Sequence, residues 1–158
     1  MCQRGERTVA RAPTGRAVSP GRAEGASRRR PGRASLRGMT DEADVLEAHQ
    51  SFYAAFNAKD LPAMDALWTR AVPVACVHPN WNVLSGRQQV MASWQAILGN
   101  PDQPRVQSGA ERVTLLGDVA YVTCLELVAG SPLAATNLFM REDGAWRLVH
   151  HHSSPVAI

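Results

Sequence analysis

The second half of the chain offers four strand-length runs, Arg105–Leu116, Val119–Ala129, Ala134–Arg141 and Ala145–Ser153, parted only by turn-forming residues. The separators are Gly117-Asp118, Gly130-Ser131-Pro132 and Asp143-Gly144. Connections this short favour an antiparallel meander. The first half reads differently. Thr40 can cap a helix whose first turn carries Asp41 and Glu42, acids suited to the positive end of the helix dipole. Val45, Leu46, His49, Phe52, Tyr53 and Phe56 then recur at three- and four-residue spacing, which predicts an amphipathic helix ending near Asn57-Ala58-Lys59. Asp60 caps a second, shorter helix with Pro62 in its first turn. Val72–Val77 is β-branched and strand-like, and Ser85-Gly86 opens a third helix, Arg87 to Leu98, stopped by Gly99-Asn100-Pro101. The order α-α-β-α-β-β-β-β, helices early and strands late, specifies α+β with three helices on one face of a curved, mostly antiparallel sheet.

Charge divides the chain at Met39. Residues 1–38 hold ten Arg against two acids, a balance of +8, whereas residues 39–158 hold seven bases against twelve acids, −5. The later segment is thus a mildly acidic domain with no nucleic-acid-binding face expected. The leader is rich in Arg, Ala, Gly, Pro and Ser, has few large apolar residues, and is expected to be disordered. Three origins stay open: upstream sequence with translation starting at Met39, a nonspecific basic tail, or an Arg-rich transit peptide. No run approaches the ~20 apolar residues of a membrane span, and a cytoplasmic location is expected. Cys2, Cys76 and Cys124 lack metal-ligand spacing, and buried free thiols are expected at the last two.

This element order resembles the nuclear transport factor 2-like superfamily, nearest its SnoaL-like and ketosteroid-isomerase-like branch. The resemblance rests on Phe52-Tyr53-Ala54-Ala55-Phe56-Asn57-Ala58-Lys59-Asp60-Leu61, on His78-Pro79-Asn80-Trp81, on Ser85-Gly86-Arg87, and on Gly144-Ala145-Trp146-Arg147-Leu148-Val149-His150. It covers about residues 40–154. It implies a cone-shaped half-barrel whose sheet wraps a pocket capped by the helices, and a homodimer formed through the sheet. Both strand faces are apolar enough for that: Tyr121, Leu125 and Leu127 alternate with Val122, Cys124 and Val128. The superfamily holds isomerases, cyclases, dehydratases and assembly domains, so the fold alone does not fix the activity.

Strand alternation places His150 and His152 on the face of Trp146 and Leu148, with His151 opposite. The inner pair and His78 are the candidates for acid–base work. In the ketosteroid isomerase pattern an Asp-Pro pair follows the first strand and its Asp is the base; His78-Pro79 matches that pair with a one-residue gap. The plainer readings are a strand-end His78 bonded to backbone, and sheet-face or interface roles for His150 and His152. The same three histidines could hold a divalent cation, but no carboxylate or cysteine stands near in sequence, and neither metal nor cofactor is expected. That isomerase pattern also needs a helix Tyr and a strand Asp. Phe52, not Tyr53, falls at the Tyr position, and Glu126 is the only mid-strand acid, so steroid isomerisation by that route is not expected. Trp81, Tyr53, Phe56, Trp94 and Asn137 are the candidate ligand-binding residues. Phosphate-cradling, nucleophile-elbow and zinc-protease motifs are absent. Two functions remain in view: a cofactor-independent isomerase, cyclase or lyase acting on a small apolar carbonyl compound, or a non-catalytic dimeric domain that binds a small hydrophobic molecule or a protein.

Overall fold

The computed structural model describes residues 33–156, with side chains from Gly38 onward. The sequence readings for residues 1–32 lie outside the described residues. Helix α1 spans Arg33–Ala58. It begins ahead of Thr40, which therefore sits inside the helix rather than capping it. Residues 33–38, read from sequence as leader, are its first turns: Ala34, Leu36 and the two Arg favour helix, and Pro31-Gly32 precede the run. Val45, His49, Phe52, Tyr53 and Phe56 are buried. Their spacing of i, i+4, i+7, i+8 and i+11 forms one stripe.

The end of α1 and the start of α2 share one turn. Lys59 takes a left-handed φ of 56°. Its N–H and that of Asp60 bond back to Phe56 and Ala55, closing the last turn. Asp60 then caps α2 (Leu61–Leu67) by accepting the Ala63 N–H at 2.9 Å. Helix α3 spans Arg87–Leu98 and buries Val90, Ser93, Trp94 and Leu98. Arg87 ties the two short helices together. Its guanidinium donates to the carbonyls of Asp65, Trp68 and Thr69 and to the Asp65 carboxylate at 2.6 Å. Those carbonyls cap the end of α2, where no further helical N–H exists to pair them.

Among the described residues six strands form one mixed, open sheet: β1 (Ala75–Val77), β2 (Leu84–Ser85), β3 (Val106–Leu116), β4 (Val119–Val128), β5 (Ser131–Glu142) and β6 (Ala145–Pro155). Their order is β2-β1-β6-β5-β4-β3. β3 to β6 form the expected antiparallel meander, and β1 joins β6 in parallel. The expected α+β cone holds. The strand expected over Val72–Val77 is shorter, and its partner β2 was not expected. The hairpin turns explain the sharp reversals. Ala129-Gly130 and Asp143-Gly144 both have positive φ at each central residue, the signature of a type I′ turn whose twist matches that of the strands.

One irregularity sets the chemistry of the concave face. β6 pairs regularly with β5 through Ala145–Leu148 and again through His150–Pro155, but Phe139 faces Leu148 while Leu138 faces His150. Val149 is the extra residue of a β-bulge. Inward alternation therefore runs Trp146, Leu148, then His151 and Ser153, all buried. The regular alternation that placed His150 and His152 inward is broken at Val149, and both point to the outer face.

Candidate functional site

A cavity of about 720 Å³ opens between α1, α3 and the concave face of the sheet. Its walls are largely apolar, from Phe52, Phe56, Trp94, Val106, Val128 and Leu133, with Pro79, Asn80 and Trp81 at the loop after β1. Its inner polar groups are His78, Glu126, His151, Ser153 and the Tyr53 hydroxyl. Both α1 and the inward positions of β4 and β6 are needed to assemble this set.

The polar groups form three bonded units. In the first, Tyr53 donates its hydroxyl proton to Glu126 Oε1 at 2.7 Å and Ser153 donates to Glu126 Oε2. Glu126 is only 5% exposed, and two hydroxyl donors offset the loss of water at its carboxyl group. Burial first, and the nearby Glu126 second, push the Tyr53 hydroxyl far above its ordinary pKa, so it stays protonated.

In the second unit, Asn137 is fully buried and bridges two imidazoles. Its carboxamide oxygen accepts from His151 Nδ1 at 2.6 Å, and its nitrogen donates to His49 Nδ1 at 3.1 Å. An amide nitrogen can only donate, so His49 carries its proton on Nε2 and His151 carries its own on Nδ1. His151 thus keeps a lone pair on Nε2. His49 Nε2 is buried with no partner. Burial, reinforced by the surrounding histidines, lowers the His151 pKa to about 3. Burial lowers that of His49 to about 4, against the opposing pull of Glu111. Both are neutral at pH 7.

In the third unit, Ser93 donates its proton to the Val90 carbonyl at 2.7 Å, so the Ser93 oxygen accepts from His78 Nε2 at 2.8 Å. His78 Nδ1 lies 3.8 Å from the Cys76 thiol. Burial lowers its pKa to about 4. The ring packs edge-on against Trp94 at 4.6 Å and Trp81 at 5.0 Å between centroids. Cys76 and Cys124 are buried free thiols, their pKa values pushed up by burial to about 12 and about 11.

Of the residues expected from sequence, the cavity gathers His78, Tyr53, Phe56, Trp81 and Trp94. His150 and His152 are not on it. His150 is half-buried and donates Nδ1–H to the Ala75 carbonyl at 3.1 Å, and His152 is exposed on the outer face. The sheet separates them from His78, so these three histidines cannot share a cation. Among the described residues no group of three or more His, Cys, Asp or Glu side chains is placed to hold a metal ion. Asn137 points inward, but both ends of its amide are engaged by histidines, so it positions His151 rather than meeting a ligand. Glu126, His151 and Ser153 were missed as site residues. Glu126 carried the available signal: it is an acid in phase with Ala120, Val122 and Cys124, the inward residues of β4. Among the described residues no helix is long and apolar enough to cross a membrane.

Comparison with known proteins agrees with this geometry. A family model described as the SnoaL-like domain matches residues 45–158. The F-box protein SKIP8 of Arabidopsis thaliana is 32% identical over 116 residues, 72% of this chain and 50% of that protein. The chain thus spans about half the length of that curated relative. A crystal structure from Streptomyces avermitilis, an NTF2-like protein for which dehydratase activity has been suggested, is 35% identical with a TM-score of 0.72, covering 77% of this chain and 99% of its own. A Thiobacillus denitrificans domain, suggested to be a calcium/calmodulin-dependent protein kinase type II association domain, is also 35% identical, with a TM-score of 0.63 over 70% of this chain and 93% of its own. The family match, the open sheet and the helix-capped cavity agree: the chain belongs to the SnoaL-like family of the nuclear transport factor 2-like superfamily.

Proposed function

We propose that this domain is a cofactor-independent acid–base enzyme of the isomerase, cyclase or dehydratase kind, acting on a small, largely apolar carbonyl compound. One observation carries the reading: a buried carboxyl group and an imidazole lone pair share the inner end of a cavity with largely apolar walls. Glu126 is the group that takes the proton. Its carboxyl is buried and held by Tyr53 and Ser153, where interactions with charge are stronger than in bulk water. His151, neutral and fixed by Asn137, accepts a hydrogen bond from the reacting molecule. The Streptomyces relative for which a dehydratase activity has been suggested is in keeping with this chemistry.

The test needs no knowledge of the natural substrate. Proton abstraction beside a carbonyl appears as hydrogen–deuterium exchange, so an apolar β-hydroxy ketone, β-hydroxypropiophenone, in deuterated buffer serves as a generic probe. The domain is expected to speed exchange above the buffer rate, and Glu126→Gln to reduce that acceleration by about 100-fold or more. Exchange at the buffer rate, or acceleration unchanged in Glu126→Gln, would sink the assignment.

A second reading is favoured by the outer face of the sheet. Leu125 and Leu127 are 52% and 44% exposed there, and the Thiobacillus relative is suggested to be an association domain. In this reading the domain pairs with a second copy through the sheet and binds a small molecule without turning it over. Pairing is compatible with the enzyme reading, whereas catalysis separates the two.

A further inference from the structure

We infer that the ligand of this cavity is an uncharged, hydroxyl-bearing apolar molecule that enters with its hydroxyl group first and donates its proton to Glu126, beside the His151 Nε2 lone pair. The inference rests on the cavity being the binding site and adds the class of molecule it takes. It comes from counting hydrogens at the inner end. Tyr53 and Ser153 spend their hydroxyl protons on Glu126. His151 gives its Nδ1–H to Asn137, and His78 gives its Nε2–H to Ser93, whose own proton goes to Val90. The indole N–H of Trp94 is covered and unpaired. The Tyr53 oxygen in turn accepts from the Cys124 thiol at 3.3 Å, so what remains for a ligand is lone pairs on the Glu126 carboxyl, on His151 Nε2 and on the Ser153 oxygen.

An acceptor-only surface selects donors. A carboxylate or phosphate entering it would face further lone pairs and a carboxyl group, and among the described residues no Lys or Arg lines the cavity. Its lost hydration would go unreplaced. An ether or ketone presented inward meets the same mismatch without the charge. An alcohol or phenol supplies the missing hydrogen. The rim is different: Asn80, Asn100 and Gln103 carry amides that both donate and accept. A carbonyl on the same molecule is therefore directed outward, toward the rim, while the hydroxyl goes in.

Three matched probes test this: β-naphthol, its methyl ether, and β-naphthoate, titrated into the full-length protein at neutral pH by calorimetry. The naphthol is expected to bind about tenfold or more tighter than the ether, since a hydrogen bond to a charged or strongly polar acceptor is at stake. The naphthoate is expected to bind weakest. Glu126→Gln places an amide donor where only acceptors stood, so it should narrow the gap between naphthol and naphthoate by about tenfold or more. Equal binding of naphthol and ether, or tightest binding by naphthoate, would overturn the inference while leaving the cavity as the binding site. Failure of all three probes to bind would overturn the site reading and this inference together.

Discussion

His49, His78 and His151 are neutral in the fold for one shared reason: each is buried where its cation would lose water and gain no carboxylate in hydrogen-bond contact. Their pKa values, about 4, about 4 and about 3, lie below the ordinary value of 6.5 that the unfolded chain restores. The linkage follows directly. Between pH 6.5 and about 4 the unfolded chain binds protons that the folded chain does not, so stability falls as pH falls. It is fully retained above pH 6.5 and levels off once the folded histidines titrate, near 3 for His151. Each histidine contributes about 1–2 kcal/mol of this loss by pH 5, a large share of a typical domain's margin. Urea unfolding measured from pH 7.5 to 5 should therefore show a midpoint that drops steadily over this range, and His49→Phe should flatten the slope. A midpoint constant down to pH 5 would show that these rings are solvated in the native state.

The bulge at Val149 shows how an element overrides a pattern. Most of the fold was legible from sequence: the meander from its turn residues, α2 from Asp60 and Pro62, α3 from Gly86 and its apolar spacing. All are local signals, read within a few residues. The parallel seat of β1 beside β6 was not legible, because residues about 75 positions apart meet there. The inward histidine was not legible either. A single extra residue reverses every side chain beyond it, and nothing in Leu148-Val149-His150 announces it. Tyr53 and Glu126, likewise, lie on different elements and meet only once α1 docks on β4. The bulge makes a direct chemical prediction. In native protein treated with diethyl pyrocarbonate and mapped by mass spectrometry, His49, His78 and His151 should be protected. His152, exposed on the outer face, should react. Modification of His151 at the rate of His152, undiminished when β-naphthol fills the cavity, would restore the regular alternation and remove His151 from the cavity.

At the scale of the whole molecule, the two faces of the sheet have opposite solvation problems. The concave face is covered by α1 and α3. Among the described residues the convex face is not: Leu125 and Leu127 stand exposed toward the β4–β5 end of β4, and Leu116 and Val119 at its other end, by the β3–β4 turn. A sheet face this apolar favours a partner over water. The pairing of β4 with β5 brings Leu125 opposite Ala134 and Leu127 opposite Pro132. A two-fold pairing would place the outward His150 and His152 against the partner sheet as well, and would shield His152 from reagents at concentrations where the pair forms. Leu125→Glu should convert a dimer to a monomer in analytical ultracentrifugation, because a charge at the centre of such an interface loses hydration with nothing to pair it. The same variant should keep its helix content and its unfolding midpoint at low concentration within error, since Leu125 touches solvent and not the core in the single chain. A wild type that sediments as a monomer at all concentrations would refute the pairing, as would a Leu125→Glu variant that stays dimeric.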